Sequence, residues 1–183
     1  DSYLKELCCQ AALRRYGEIT PRVRERLEEE LRLIRKHGLS GFFLIYHEIL
    51  KLAREVAVEL GLSRPDTPLE EDPPGRSRGS SVSLLVGYLI GLSHIDPLKY
   101  NLSLERFLRE DLTRVPDVDL DFPRNIREGL ILKVHQKWGW QHAALTGMFS
   151  TYKIRGAVRD LGKALGLPED EVDKLAKRVE HRS

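Results

Sequence analysis

Asp117, Asp119 and Asp121 occupy every second position of the stretch PDVDLDF at 116–122, with Val118, Leu120 and Phe122 between and after them. A period of two predicts an extended strand, even though aspartate is depleted in strands. Side chains on a strand alternate between faces, so the three carboxylates share one face and the apolar side chains the other. Neighbouring carboxylates on such a strand lie roughly 6.5–7 Å apart. Their mutual repulsion is about 2 kcal/mol per pair at an effective dielectric near 20, and under about 1 kcal/mol in water. Positive charge must offset it. Mg²⁺ prefers hard oxygen ligands, takes one or two carboxylates and leaves positions for water or phosphate. Two metals about 3.5–4 Å apart form the usual clamp for in-line phosphoryl displacement. An amphipathic strand whose wet face happens to be acidic is the alternative.

Such a metal site needs a phosphate-binding partner, and GRSRGSS at 75–81 is a candidate. Gly79 lets the backbone approach a ligand, Ser80 adds a hydroxyl, and free N–H groups at a helix start attract anions. Arg76 and Arg78 add positive charge. The stretch is not a Walker loop, because the Gly-Lys-Ser/Thr ending is missing. Alone, it also reads as a serine N-cap after a flexible loop.

The elements that must hold these residues are mostly helical. Leu4, Leu7, Cys8, Ala11 and Ala12 predict a helix over 3–16 that Gly17 ends. Thr20 and Pro21 open a second, with an apolar stripe at Val23, Leu27, Leu31 and Ile34, closed at Gly38. A third runs from about Gly41 to Leu60, and the apolar start GFFLIYHEIL predicts that this end is the buried one. Residues 61–80 carry four prolines and three glycines, which predicts a long loop with a mobile middle. A central helix over about 80–91, one helical turn near LERFL, the aspartate strand and a helix over RNIREGLILKVHQKWG follow. HAALTG at 142–147 is a candidate second strand. Helices over about 151–165 and 168–180 complete the chain, the last opened by acids and closed by Lys177 and Arg178, as the macrodipole prefers.

Composition sets outer bounds. The 183 residues are 41% hydrophobic and 32% charged, with a net charge of only +2. A core is affordable, and any nucleic-acid affinity must come from local patches. Cys8 and Cys9 lack partners at ligand spacing and predict reduced thiols in a reducing compartment. No apolar run reaches membrane-spanning length, and DSYLKELCCQ is no signal peptide. The ends predict a segment of a larger protein. The histidines form no ligand cluster: His37 suits a helix C-terminus, and His135, His142 and His181 read as structural or exposed. Trp138 and Trp140 read as anchors of a helix end. Lys153, Arg155, Arg159 and Lys163 lie at helical spacing. That stripe could track a duplex backbone or be a solvated face.

RGSSVSLLVGYLIGLSHIDPLKYNLSLERFL followed by PDVDLDF resembles the palm of the bacterial C-family DNA polymerases, the alpha subunit of DNA polymerase III. YLKELCCQAALRRYG resembles the start of that palm, after the N-terminal PHP domain. HGLSGFFLIYHEIL resembles its Gly-Tyr-Phe-Leu-Ile helix, and STYKIRGAVRDLGKALGLPEDEVDKLAKRV resembles the entry to its thumb. The resemblance covers nearly the whole chain.

The resemblance implies an α+β fold: a helix-rich palm of the beta-type nucleotidyltransferase kind, with a small mixed sheet carrying the aspartate strand. Residues 1–150 would be palm, with a long loop over about 61–79, and 151–183 the first thumb helices. Asp119 and Asp121 would be catalytic and bind two Mg²⁺ (or Mn²⁺) ions, with Asp117 a lesser metal ligand. Arg78, Gly79 and Ser80 would hold the triphosphate of a dNTP, and Arg106 of LERF would face the same pocket. Lys153, Arg155, Arg159 and Lys163 would then touch primer-template DNA. Implied partners are the PHP domain, the fingers, the rest of palm and thumb, the sliding clamp and other replisome subunits, in bacterial cytoplasm and without a membrane. Two departures stand out. The loop before the turn is longer than the family's, and its Gly-Pro-Gly-Arg-Gly-Ser turn reads Gly75-Arg76-Ser77-Arg78-Gly79-Ser80. The family's third catalytic aspartate lies beyond the thumb, outside these residues, so the isolated piece is expected to be inactive. A non-catalytic nucleic-acid-binding module with the same fold is the alternative.

Overall fold

A computed structural model describes residues 1–147, 149 and 151–180. They divide into two compact units, Asp1–Ala143 and a second that begins at Ala144. No described helix is long and apolar enough to cross a membrane.

The first unit opens with α1 (Ser2–Tyr16), which buries Leu4, Cys8, Ala11 and Ala12 and ends at Gly17. Helix α2 (Pro21–Lys36) is started as expected: Val23 N–H donates to the Thr20 hydroxyl at 3.4 Å, and Pro21 takes the first turn. Its buried face is Val23, Leu27, Glu30, Leu33 and Ile34. Glu30 takes the place expected of Leu31, which is only half-buried. Full burial of an aliphatic side chain such as Ile34 contributes about 1.5–3 kcal/mol, so a charge there would undock the helix.

Helix α3 (Ser40–Glu59) reverses one expectation. Its apolar start buries only Phe43 completely, whereas its second half buries Leu50, Leu52, Ala53, Arg54, Val56 and Ala57. The reason is α5 (Arg124–Trp138), which packs on that second half. Leu52, Ala53, Val56 and Ala57 meet Ile126 and Leu130 in a cluster of their own. The main cluster joins α1, α2 and the start of α3 to residues 84–92, Phe107, Leu108 and Val118. Phe122 packs against both clusters.

The long loop after α3 is tied down along its middle. Arg54, 8% exposed, donates to the carbonyls of Arg64 (3.1 Å), Thr67 (2.9 Å) and Asp72. Glu70 is buried and pairs with Arg14 at 2.5 Å, and Arg15 donates to the Glu70 carbonyl. Proline and glycine content alone predicts a mobile middle. The arginines that hold it lie on α3, 10–18 residues away, and on α1, 55–56 residues away.

The expected central helix is broken in two. A 3₁₀ turn spans Gly79–Ser83, Leu84 is extended, and a short α4 spans Leu85–Leu89. The Ser81 and Ser83 hydroxyls donate to the carbonyls of Arg78 (2.8 Å) and Ser80 (2.7 Å). Such local side-chain bonds compete with the helical ladder, and Glu30 caps α4 separately. A second 3₁₀ turn spans Leu104–Arg106.

The sheet is smaller than expected and antiparallel, not mixed. Strand β1 (Arg76–Ser77) pairs with β2 (Leu120–Asp121), and HAALTG forms no strand. The strand partner of the aspartates is the basic turn itself. Trp138 packs on the α3–α5 cluster, and Trp140 stacks on His135 at 3.7 Å. His37 caps α2 and bonds the Arg109 carbonyl at 2.9 Å. Cys8 and Cys9 are free thiols.

In the second unit, α6 (Ile154–Ala164) and α7 (Glu169–Glu180) form a helical hairpin. It closes tightly at Gly162, where a Cβ would lie 2.5 Å from Val172 Cγ2.

Candidate functional site

Pairing of β1 with β2 sets Arg76 opposite Asp121 and Ser77 opposite Leu120. The ladder continues one step, with Arg78 N–H donating to the Asp119 carbonyl at 3.1 Å. On the other side, Ser77 N–H donates to the Leu92 carbonyl at 2.7 Å. Gly75 is buried, and a Cβ there would meet the Phe122 ring at 2.5 Å and the Asp121 carbonyl at 2.9 Å. Only glycine permits this approach of the turn to the acidic strand.

The alternation read from PDVDLDF is present. Asp117, Asp119 and Asp121 are exposed, Val118 is buried, and Leu120 and Phe122 are half-buried. Regular pairing is limited to Leu120 and Asp121, so the rest of the stretch is extended without a ladder of its own. Arg78 Nε lies 2.8 Å from Asp121 Oδ2. Both side chains are at least half exposed, so this pair is worth no more than about 1 kcal/mol.

Arg78, Gly79 and Ser80 are exposed at the head of the 3₁₀ turn, and Gly79 has φ +71°. The first N–H groups of such a turn have no acceptor within it. A turn this short carries little of the macrodipole expected for a full helix, so its pull on anions comes from N–H groups and Arg78. The turn touches Leu104–Arg106, whose Arg106 is exposed. The structure thus brings together Arg78, Gly79, Ser80, Asp119 and Asp121, with the element carrying Arg106 alongside.

Two hard carboxylates on one exposed edge, one already holding a cationic guanidinium, suit divalent ions. Among the described residues no three acidic, histidine or cysteine side chains converge as metal ligands. Asp117 lies on the same exposed edge, two residues before Asp119.

The basic stripe lies in the second unit. Lys153 and Lys163 are exposed and Arg155 is half-buried. Arg159 is engaged by Asp173 of α7, at 3.0 Å from Nε and 2.9 Å from Nη2. Both side chains of this pair are more than two-fifths exposed, and helical spacing on α6 says nothing of an acid on the facing helix.

Two features escaped the sequence. Tyr46 of α3 lies beside the acidic strand. Burial, then the charges of Asp117 and Asp119, push its phenol above the usual range, opposed by the Val118 backbone. Glu30 is fully buried beneath the turn. Its position, seven after Val23 and three after Leu27 on the apolar stripe, was the available signal. Tyr46 carried none, since an aromatic on an apolar helix reads as core.

Fold and site together define a helix-rich α+β chain that sets a basic, hydroxyl-bearing turn against an acidic edge. A family model for the bacterial DNA polymerase III alpha NTPase domain matches residues 2–183, and the chain belongs to that family. It is 39% identical over 183 residues to DNA polymerase III subunit alpha of Halalkalibacterium halodurans. It is 35% identical over 182 residues to the Bacillus subtilis subunit of the same name. It is also 35% identical over 178 residues to an error-prone DNA polymerase of Symbiobacterium thermophilum. These alignments cover 97–100% of the chain and 15% of each relative.

Proposed function

We propose that this chain supplies part of the palm (1–150) and the first thumb helices (151–183) of a DNA-directed DNA polymerase. That enzyme would add dNTPs to a primer 3′ end in bacterial cytoplasm. The observation that carries the reading is the register of β1 on β2, which joins the segment leading into the Gly-Ser turn to the aspartate strand.

Asp119 and Asp121 would hold two Mg²⁺ (or Mn²⁺) ions, which when bound activate the primer hydroxyl and neutralise charge developing at phosphorus. Gly79 and Ser80 would present N–H and hydroxyl groups to the triphosphate, with Arg106 reaching in from the neighbouring turn. Arg78 has a double role: it neutralises Asp121 in the free site and turns to the phosphates when that carboxylate is otherwise engaged. The weakness of an exposed pair makes the exchange cheap. Asp117 adds negative charge at the edge. Lys153, Arg155 and Lys163 would face primer-template DNA, with Arg159 joining only on release from Asp173. The remaining palm, thumb, fingers and PHP domain, and the clamp and replisome subunits, are the proposed partners. Two carboxylates are an incomplete catalytic set, so the chain alone should not extend a primer.

Primer extension by a polymerase carrying this chain should fall at least about 10²–10³-fold on Asp119→Asn or Asp121→Asn. Both variants should also weaken Mn²⁺ binding. Undiminished extension in both would remove the reading. Unchanged Mn²⁺ affinity together with unchanged duplex binding would favour a non-catalytic module.

A further inference from the structure

Beneath the Gly-Ser turn lies an ion pair that the chemistry above does not use. Glu30 of α2 is 0% exposed. Its Oε1 accepts the Leu85 N–H at 2.8 Å and the Arg26 Nε–H at 2.7 Å, and its Oε2 accepts the Val86 N–H at 2.8 Å. The carboxylate thereby caps α4 directly after the break at Leu84. Arg26 uses its remaining nitrogens on two separate carbonyls. Nη2 donates to Ser83 at 2.7 Å, and Nη1 donates to Leu102 at 3.2 Å. Ser83 ends the turn that begins at Gly79, and Leu102 stands two residues before the turn that ends in Arg106. One guanidinium therefore spans the two segments that lead to Ser80 on one side and Arg106 on the other.

Stability is a poor reason for such a pair. Apolar residues of similar volume often serve a core as well or better, because desolvating two charges offsets their attraction. What they cannot supply is a fixed distance between two backbone segments. Burial pushes the Glu30 carboxyl above the usual range, opposed by the Val86 and Leu85 amides and by Arg26. All three neighbours are donors, an arrangement that suits an acceptor-only carboxylate.

We propose that Arg26 and Glu30 are positioning residues for the incoming nucleotide, setting the spacing of the Ser80 and Arg106 turns from below. The proposal rests on the polymerase reading, since it assigns a purpose to the turn only if the turn holds a triphosphate. Neither residue touches substrate. Their loss should therefore show in nucleotide affinity and leave duplex binding alone.

The test is steady-state extension by a polymerase carrying this chain, comparing wild type, Arg26→Lys, the apolar pair Arg26→Met with Glu30→Leu, and Ser80→Ala. Lysine keeps the charge beside Glu30 but cannot reach both carbonyls. The double variant removes both charges without leaving one unpaired. KM for dNTP should rise about 10–100-fold in both, the size of effect that small misplacements of a bound group produce. The Kd for primer-template should stay within about twofold. An unchanged KM in Arg26→Lys, with the protein folded by circular dichroism, would overturn the proposal even if the double variant fails to fold. An unchanged KM in Ser80→Ala would instead strike the assignment of the turn, and the positioning role with it.

Discussion

At the scale of single residues, the acidic edge is a place where the proposed chemistry and stability oppose each other. Asp117, Asp119 and Asp121 repel one another on an exposed edge, and among the described residues only Asp121 has a cationic partner, Arg78. Asp119→Asn should raise the melting temperature of the chain slightly, by under about 1 kcal/mol of added stability, while it abolishes extension. A melt of the variant that falls below wild type would show that Asp119 is held by favourable contacts. Gly79 presents a different balance. No atom lies within 4 Å of where its Cβ would stand, but its φ is +71°. Gly79→Ala should therefore cost about 1–2 kcal/mol through backbone strain alone, measurable by urea unfolding. Cys8 is fully buried, and burial drives its thiol pKa up. Alkylation of native protein should modify Cys9 alone, and a second equivalent should react only after unfolding.

At the scale of elements, the tight places are contacts between neighbours. Gly75→Ala should part β1 from β2, because a Cβ would press on Phe122 and on the Asp121 backbone at once. Extension should fall with little change in the α3–α5 packing. Amide exchange that stays slow at Ser77 and Arg78 in this variant would contradict that account. A second contact gives a pH dependence. Arg32 and Lys36 of α2 clasp Glu110 and hold its carboxyl at about 2 against an ordinary 4.5. A depressed carboxyl stabilises the fold above its ordinary value and loses that contribution as pH falls toward the depressed one. The stability difference between wild type and Glu110→Gln should thus be full at pH 6 and vanish between pH 4.5 and 2.

At the scale of the whole chain, what could be read in advance followed the range of each signal. Helices α1, α2, α5, α6 and α7 announce themselves by apolar period, caps and end charges, all local. The alternation of PDVDLDF correctly separates wet from buried side chains, and residues 76–78, just before the Gly-Ser turn, pair with it. The rest depends on partners carried by other elements and, at Ser81 and Ser83, on short-range hydroxyl bonds. Arg54 gathers a loop that composition alone made loose. Glu30 and two serine hydroxyls divide a helix that hydrophobicity made continuous. Asp173 intercepts Arg159. The strand partner of the aspartates is two residues of β1, too short for any periodic signal.

Phe122 belongs to both hydrophobic clusters and directly follows Asp121 in the chain. The acidic edge is thus riveted at one end to α3 and α5, on a face that carries none of the proposed chemistry. Conditional alleles should arise there: changes at Val56 or Leu130 that are silent in the cold and, on warming, loosen the rivet and disable synthesis before the protein as a whole unfolds.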